Sequence, residues 1–229
     1  MNRWKDQIEG LGKTEWQSML AFAVELHIRC THEAAPPFSY PWEEIGPGYC
    51  YGPAFSHIDL THATMDAIPY QPIHAKNQML NYMNLQASDG LIPGCIWLSN
   101  GEIRWRTTVG HPPYWPVAIQ QLYESYGDSE LLKRAYQALC KQLDWFEQKR
   151  KAPDEGYYYV DILHRLWESG VDEGIRYENV QPGPLACVDA TSHVYQMYEF
   201  AAKWANVIGL PAEAEAFKSR SAQLRKFIC

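Results

Sequence analysis

"LYESYGDSELLKRAYQAL" (122–139) and "AKWANVIGLPAEAEAFKSRSAQL" (202–224) follow one plan: an apolar-striped helix, a glycine turn, and a second helix that opens on an acid. Past the first turn, Leu131, Leu132, Ala135, Tyr136, Leu139, Leu143 and Phe146 recur at the three-and-four spacing of one helix face. Before it, Trp115, Ala118, Ile119, Leu122, Tyr123 and Tyr126 keep the same rhythm, as do Val194, Met197, Tyr198, Ala201, Ala202, Ala205 and Ile208 before the second turn. Trp16, Met19, Leu20, Ala23 and Val24 form another stripe behind a Thr14-x-x-Gln17 capping box. Weaker helical patterns cover 54–67, 72–87 and 212–228, and no run alternates as strands do. The reading is a mostly α protein of seven or eight helices.

The connectors alternate in length. "AIPYQ" (67–71), "YGDS" (126–129) and "GLPA" (209–212) are short, whereas 31–53, 88–113 and 150–189 are long and rich in Pro, Gly and aromatic residues. Helices joined in this way make hairpins with the tight turns on one face and the long loops on the other. Loops longer than about 12–15 residues are uncommon unless they are functional or disordered, and a rigid scaffold that gathers them offers a place for a site. Repeated hairpins imply a solenoid or a closed α/α toroid. A toroid of twelve helices needs more chain than 229 residues, and the last helix runs into Cys229 with neither a Gly cap nor a following Pro. One domain over 1–229 is therefore expected, truncated at its C-terminus, with apolar faces open to self-association or to a complementing chain.

Charge narrows the partners. Twenty basic against 27 acidic residues give a net charge of -7, and the basic residues form no run, which excludes nucleic acid and anionic membranes as expected partners. The N-terminus has no apolar core of a signal peptide, no stretch is long enough to span a bilayer, and the six cysteines show no CxxC spacing. A cytoplasmic protein with reduced thiols is expected. No nucleotide loop or redox cofactor motif is present; His27 with His32, and His57 with His62, are five apart, which does not suit metal ligation on one helix face. The nine Trp and fifteen Tyr fall heavily in the loops, where flat rings either stack on sugars or pin the loops down.

One loop passage concentrates these features: "WESGVDEG" (167–174) holds a tryptophan, three carboxylates and two glycines. It reads as a solvated turn capped by Asp172, or as an acid whose partly desolvated carboxyl beside Trp167 protonates a leaving oxygen. Extended to Glu178, it resembles the ESG-x-D-x-x-x-R-W-D signature of the inverting (α/α)6-barrel glycoside hydrolases, which include trehalases, family 63 processing α-glucosidases and mannosylglycerate hydrolases. Tyr177 and Glu178 replace the Trp and Asp of that signature.

Three further passages are similar to the same family in the same order. "HIDLTHATMDAIPYQPIHAKNQMLNYMNLQASDGLIPG" (57–94) resembles its first catalytic-face helix pair, with Ile58-Asp59 on a Trp-Asp pair and Gln86 and Asp89 in a Q-x-x-D-G-x-I-P loop. "GHPPYWPVAIQQLYE" (110–124) resembles the Gln-Pro-Pro helix start with His111 for Gln, and residues 188–224 resemble the V-D-L-N pair with Asp189 on its Asp.

The resemblance implies an all-α (α/α)6 toroid and inverting hydrolysis of an α-linked glucoside or mannoside, without cofactor or metal. It makes Asp172 the general acid and lines the sugar pocket with Asp59, His111, Trp167, Glu168, Arg176 and Asp189. The family's general base is a Glu in the last quarter of the barrel, so this chain is expected to carry the acid and lack the base. Two alternatives stand beside this reading: a non-catalytic carbohydrate-binding or interaction module, and an epimerase or lyase working through His111 or His57. From its own surroundings Trp115 reads as core, not ligand.

Overall fold

The computed structural model describes residues 3–46, 53–99, 102–105, 109–164, 167–171, 174 and 178–228. After a short helix α1 (Arg3–Asp6) and a 3-10 turn come α2 (Gln17–Cys30), β1 (Thr31–His32), β2 (Trp42–Glu43), β3 (Ala54–Ser56), α3 (His57–Ala67) and α4 (Pro72–Asn84). β4 (Cys95–Ser99), β5 (Glu102–Trp105), α5 (Trp115–Tyr126), α6 (Ser129–Lys149), α7 (Asp161–His164), α8 (Val188–Val207) and α9 (Pro211–Ile228) follow. The fold is all-α and built of hairpins, α3–α4, α5–α6 and α8–α9, each closed by one of the short connectors.

Local chemistry accounts for the turns. Gly127 closes α5 in the left-handed region (φ +67°), and the Asp128 side chain then accepts the Leu131 N–H at 3.0 Å to cap α6. Gly209 (φ +84°) and Pro211 repeat the device between α8 and α9. The hairpins meet in one core. Trp115 and Trp204, both fully buried, approach to 6.1 Å between ring centroids, and their indole N–H groups donate to Gln142 and Gln120 at 2.7 and 2.8 Å. The large apolar rings therefore enter the core without stranding a donor.

Three expectations change. The Thr14–Gln17 capping box does not form: Trp16 occupies the N-cap of α2, and Gln17 Nε2 donates back to the Leu11 carbonyl at 2.8 Å. The α2 stripe is also split, with Val24 buried while Trp16, Met19, Phe22 and Leu26 are exposed, Phe22 by 67%. Finally, residues 54–56 are strand rather than the start of α3; β3, β4 and β5 form an antiparallel sheet with Ser56 opposite Cys95 and Ile96 opposite Trp105.

The N-terminal segment is braced to the α3–α4 hairpin by a polar network of buried His27, Glu43 and His74 with exposed Asp66. His27 Nδ1 lies 2.7 Å from Glu43 Oε1, His27 Nε2 lies 3.0 Å from Asp66 Oδ2, and His74 Nε2 lies 2.8 Å from Glu43 Oε2. Burial disfavours a charged His27, but its hydrogen bonds to Asp66 and Glu43 outweigh that and lift its pKa to about 9. Among the described residues, no helix is long and apolar enough to cross a membrane.

The 85–94 loop is held tightly against α6. Gln86 Nε2 donates to the carbonyls of Gly90 (3.0 Å) and Ala138 (2.8 Å), and Asp89 Oδ1 accepts the Leu91 N–H at 3.2 Å. Gly90 has φ +100°, and a β-carbon there would stand 2.0 Å from the Lys141 carbonyl oxygen. Gly127 shares the left-handed backbone but faces open space. Gly90→Ala should therefore destabilise by more than the roughly 1–3 kcal/mol of backbone strain alone, and Gly127→Ala by only the left-handed strain of about 1–2 kcal/mol; urea unfolding of the two variants measures the difference.

Candidate active site

The long loops converge where α3, α5 and α8 begin. The His57 N–H donates to the Gly94 carbonyl (2.9 Å), the Gly94 N–H to the Val109 carbonyl (3.2 Å), and the Gly110 N–H to Glu168 Oε1 (3.0 Å). On the α8 side, the Cys187 N–H donates to the Tyr157 carbonyl (2.8 Å) and the Tyr157 N–H to Thr191 Oγ1 (3.0 Å). Gly94 is required at the tightest crossing, since a β-carbon would stand 2.3 Å from the Gly110 carbonyl oxygen.

Glu168 is the hub of this assembly. Only 1% exposed, it accepts from Arg150 Nε and Nη2 at 2.7 and 2.9 Å and from the N–H groups of Val160 (2.7 Å) and Gly110 (3.0 Å). Four donors fill the acceptor sites of a carboxylate, and the fork-to-carboxylate geometry is the strongest that a protein ion pair offers. Asp161, also buried, holds the backbone of the same turn: its two oxygens accept the N–H groups of Glu168 (2.7 Å) and Ser169 (2.9 Å). Burial raises the Asp161 pKa against those hydrogen bonds. Gly170, at φ +72°, then turns the chain against Ile58 at the start of α3.

The structure distributes the expected site residues as follows. Asp59 is exposed in the first turn of α3, on the wall of a cavity of about 320 Å³ between α2 and α3. His111 is half-buried just before α5, close enough to His57 to oppose its protonation. Trp167, 46% exposed, stands beside buried Glu168. Asp189 is half-buried in the first turn of α8. Asp172 and Arg176 lie outside the described residues.

Groups that the sequence did not single out complete the face. Tyr159 Oη and His193 Nδ1 are 2.7 Å apart, and His193 Nε2 is 3.3 Å from Tyr114 Oη. His62 approaches Tyr114 with ring centroids 6.2 Å apart. Burial lowers the His193 pKa although Asp189 opposes this, and burial foremost, then Asp189 and Glu168, raises that of Tyr159. The chain Tyr159–His193–Tyr114 thus links the 150–189 loop to the starts of α5 and α8. Clustered rings, an exposed indole and carboxylates at helix starts suit a polyhydroxylated ligand better than an apolar one.

Residues 53–228, well over half of the chain, match the mannosylglycerate hydrolase MGH1-like glycoside hydrolase domain. The chain belongs to that family. It is thus a glycoside hydrolase domain, and its matched region begins at the strand leading into α3 and ends with α9. No curated protein matches it. The four passages that carry the resemblance all lie inside the matched span of this MGH1-like domain.

Two outcomes follow from this geometry. Breaking a buried ion pair by removing one partner costs about 3–5 kcal/mol, so Arg150→Met and Glu168→Gln should each lower the urea midpoint strongly, and the double variant should be less damaging than their sum. His57 is fully buried, and burial foremost, then His111, depresses its pKa to about 3. The unfolded chain therefore takes up a proton that the folded one refuses. Stability from this group is complete above about pH 6.5 and falls by about 1.4 kcal/mol per pH unit as pH drops toward 3. Unfolding from pH 7 to 4 should show a flatter slope in His57→Gln than in the wild type.

Proposed function

We propose that this domain catalyses inverting hydrolysis of an α-linked mannoside or glucoside, with Asp172 as general acid. The observation that carries the reading is the clamped turn at 167–171. Arg150, Gly110, Val160 and Asp161 fix Glu168 and Ser169 from four sides, and the next residues are the Val171-Asp172 of the hydrolase signature. A general acid must be held to a fraction of an ångström, and a supported turn supplies that where a free loop cannot.

On this reading Glu168 acts by positioning, because its oxygens are occupied by protein donors. Trp167 stacks on the sugar ring; Asp59, His111, Arg176 and Asp189 take its hydroxyl groups. Asp172 protonates the glycosidic oxygen while a second carboxylate activates water on the opposite face, about 6.5–9.5 Å away. By the resemblance that base is a Glu following the four matched passages. The family name makes mannosylglycerate the first substrate to try. No metal or cofactor takes part in the step.

The test is turnover of mannosylglycerate and simple α-mannosides and α-glucosides, with and without azide, which replaces base-activated water as nucleophile. Asp172→Asn should lower turnover by about 10²–10⁴-fold while sugar binding persists. Unchanged turnover in Asp172→Asn contradicts the assignment of the acid. Saturable sugar binding by the wild type, without hydrolysis or azide-dependent product, makes the domain a carbohydrate-binding module instead.

A further inference from the structure

His27, Glu43 and His74 come together from three elements, the last turn of α2, strand β2 and the first turn of α4. Each is buried, at 6%, 4% and 7% exposure, and one donor atom from each lies within 4.8 Å of the others. We propose that these three side chains form a binding site for a zinc-class divalent cation.

The donor set favours this ion class. Two imidazoles and one carboxylate suit zinc, which takes three protein ligands and leaves a fourth position open. The outer shell is in place as well. His27 directs Nε2 to Asp66 Oδ2 at 3.0 Å, which leaves Nδ1 facing Glu43, the carboxylate–histidine arrangement that orients a metal ligand. Glu43 is fixed from behind by its N–H, which donates to Gln78 Oε1 at 3.0 Å, and the edge of Trp4 packs on His74 with centroids 4.9 Å apart.

The geometry points the same way: the buried Glu43 carboxylate stands between the two imidazoles, and Asp66, exposed at the cavity wall, sets a second carboxylate against His27. The cavity of about 320 Å³ reaches His27, Glu43 and Asp66 and provides the route of entry; Cys30, Asp59 and His62 also line it.

Two of the ligands, His27 and Glu43, precede the 53–228 span of the family match, and the third, His74, lies inside it. The spacing of histidines along single helices gave no sign of it, because the ligands are 16 and 31 residues apart and meet only through the fold. Its effect is to lock residues 17–46 onto the α3–α4 hairpin.

Hydrogen bonds alone also satisfy these groups, so proton and cation compete for one place, and titration separates the cases. The full chain, stripped with a chelator, is titrated with Zn²⁺ by calorimetry and with Co²⁺ by visible absorption. The expected result is one ion per chain, a four-coordinate cobalt spectrum, and a higher thermal midpoint with zinc. His74→Gln and Glu43→Gln should weaken binding at least 100-fold, and Asp66→Asn about 10–100-fold. X-ray absorption of the zinc-loaded wild type, which needs no variant to fold, should show only nitrogen and oxygen ligands with two imidazoles. Absence of stoichiometric binding, undiminished binding in a folded His74→Gln, or sulfur in the zinc shell each overturns the proposal.

Discussion

The buried pair between Arg150 and Glu168 is the constraint on which the loop face depends. Arg150 ends α6 and Glu168 lies eighteen residues further on, in a loop with little regular structure of its own. Desolvating both charges is expensive, and the cost is recovered only because the carboxylate gains a two-pronged partner together with the N–H groups of Val160 and Gly110. The same four bonds tie the third loop to the second and to the end of a core helix. Asp161 repeats the strategy one step along, fixing the backbone rather than a side chain. The described turn at 167–171 is thereby tied to the end of α6 and to the second loop.

The helical frame was legible because its signals are long. Stripes of twelve to twenty-one residues, Gly127 and Gly209 at the turns, and Asp128 at a helix start all state their structure locally. The alternation of short and long connectors was enough to bring the second and third long loops together at the starts of α3, α5 and α8. The β3–β4–β5 sheet was not legible, since its strands are three to five residues long and β3 pairs across some forty residues of intervening helix. The α2 stripe misled for a different reason: periodicity reports an apolar face but not what covers it, and of that stripe Trp16 and Met19 are exposed while Val24 is buried.

At the candidate site, the sequence named segments that the fold brings against one another, but not the division of labour within them. "ESG" stood out by resemblance, yet nothing local says that Glu168 is saturated by protein donors while Trp167 beside it is exposed. Arg150 stands as a basic residue after a helical stripe, His193 just before the Val194 stripe, and Tyr159 within an aromatic run. Their shared signal is weak but physical: Asp161 within "YYYVDIL" and Tyr159 before it are polar groups in an apolar stretch, which must find partners when buried. His27, Glu43 and His74 carry the same lesson, since their meeting is a property of the fold and not of spacing.

Fold, family and clamped turn together support an acid delivered to one face of a sugar while the attacking group comes from the other. The configuration of the first-formed product tests that most directly. Proton NMR of the anomeric region during early turnover of an α-mannoside or α-glucoside, with azide present if water alone is not used, should show the β-configured product before mutarotation. Initial release of the α-configured sugar would mean retention and a covalent intermediate, and would contradict the account.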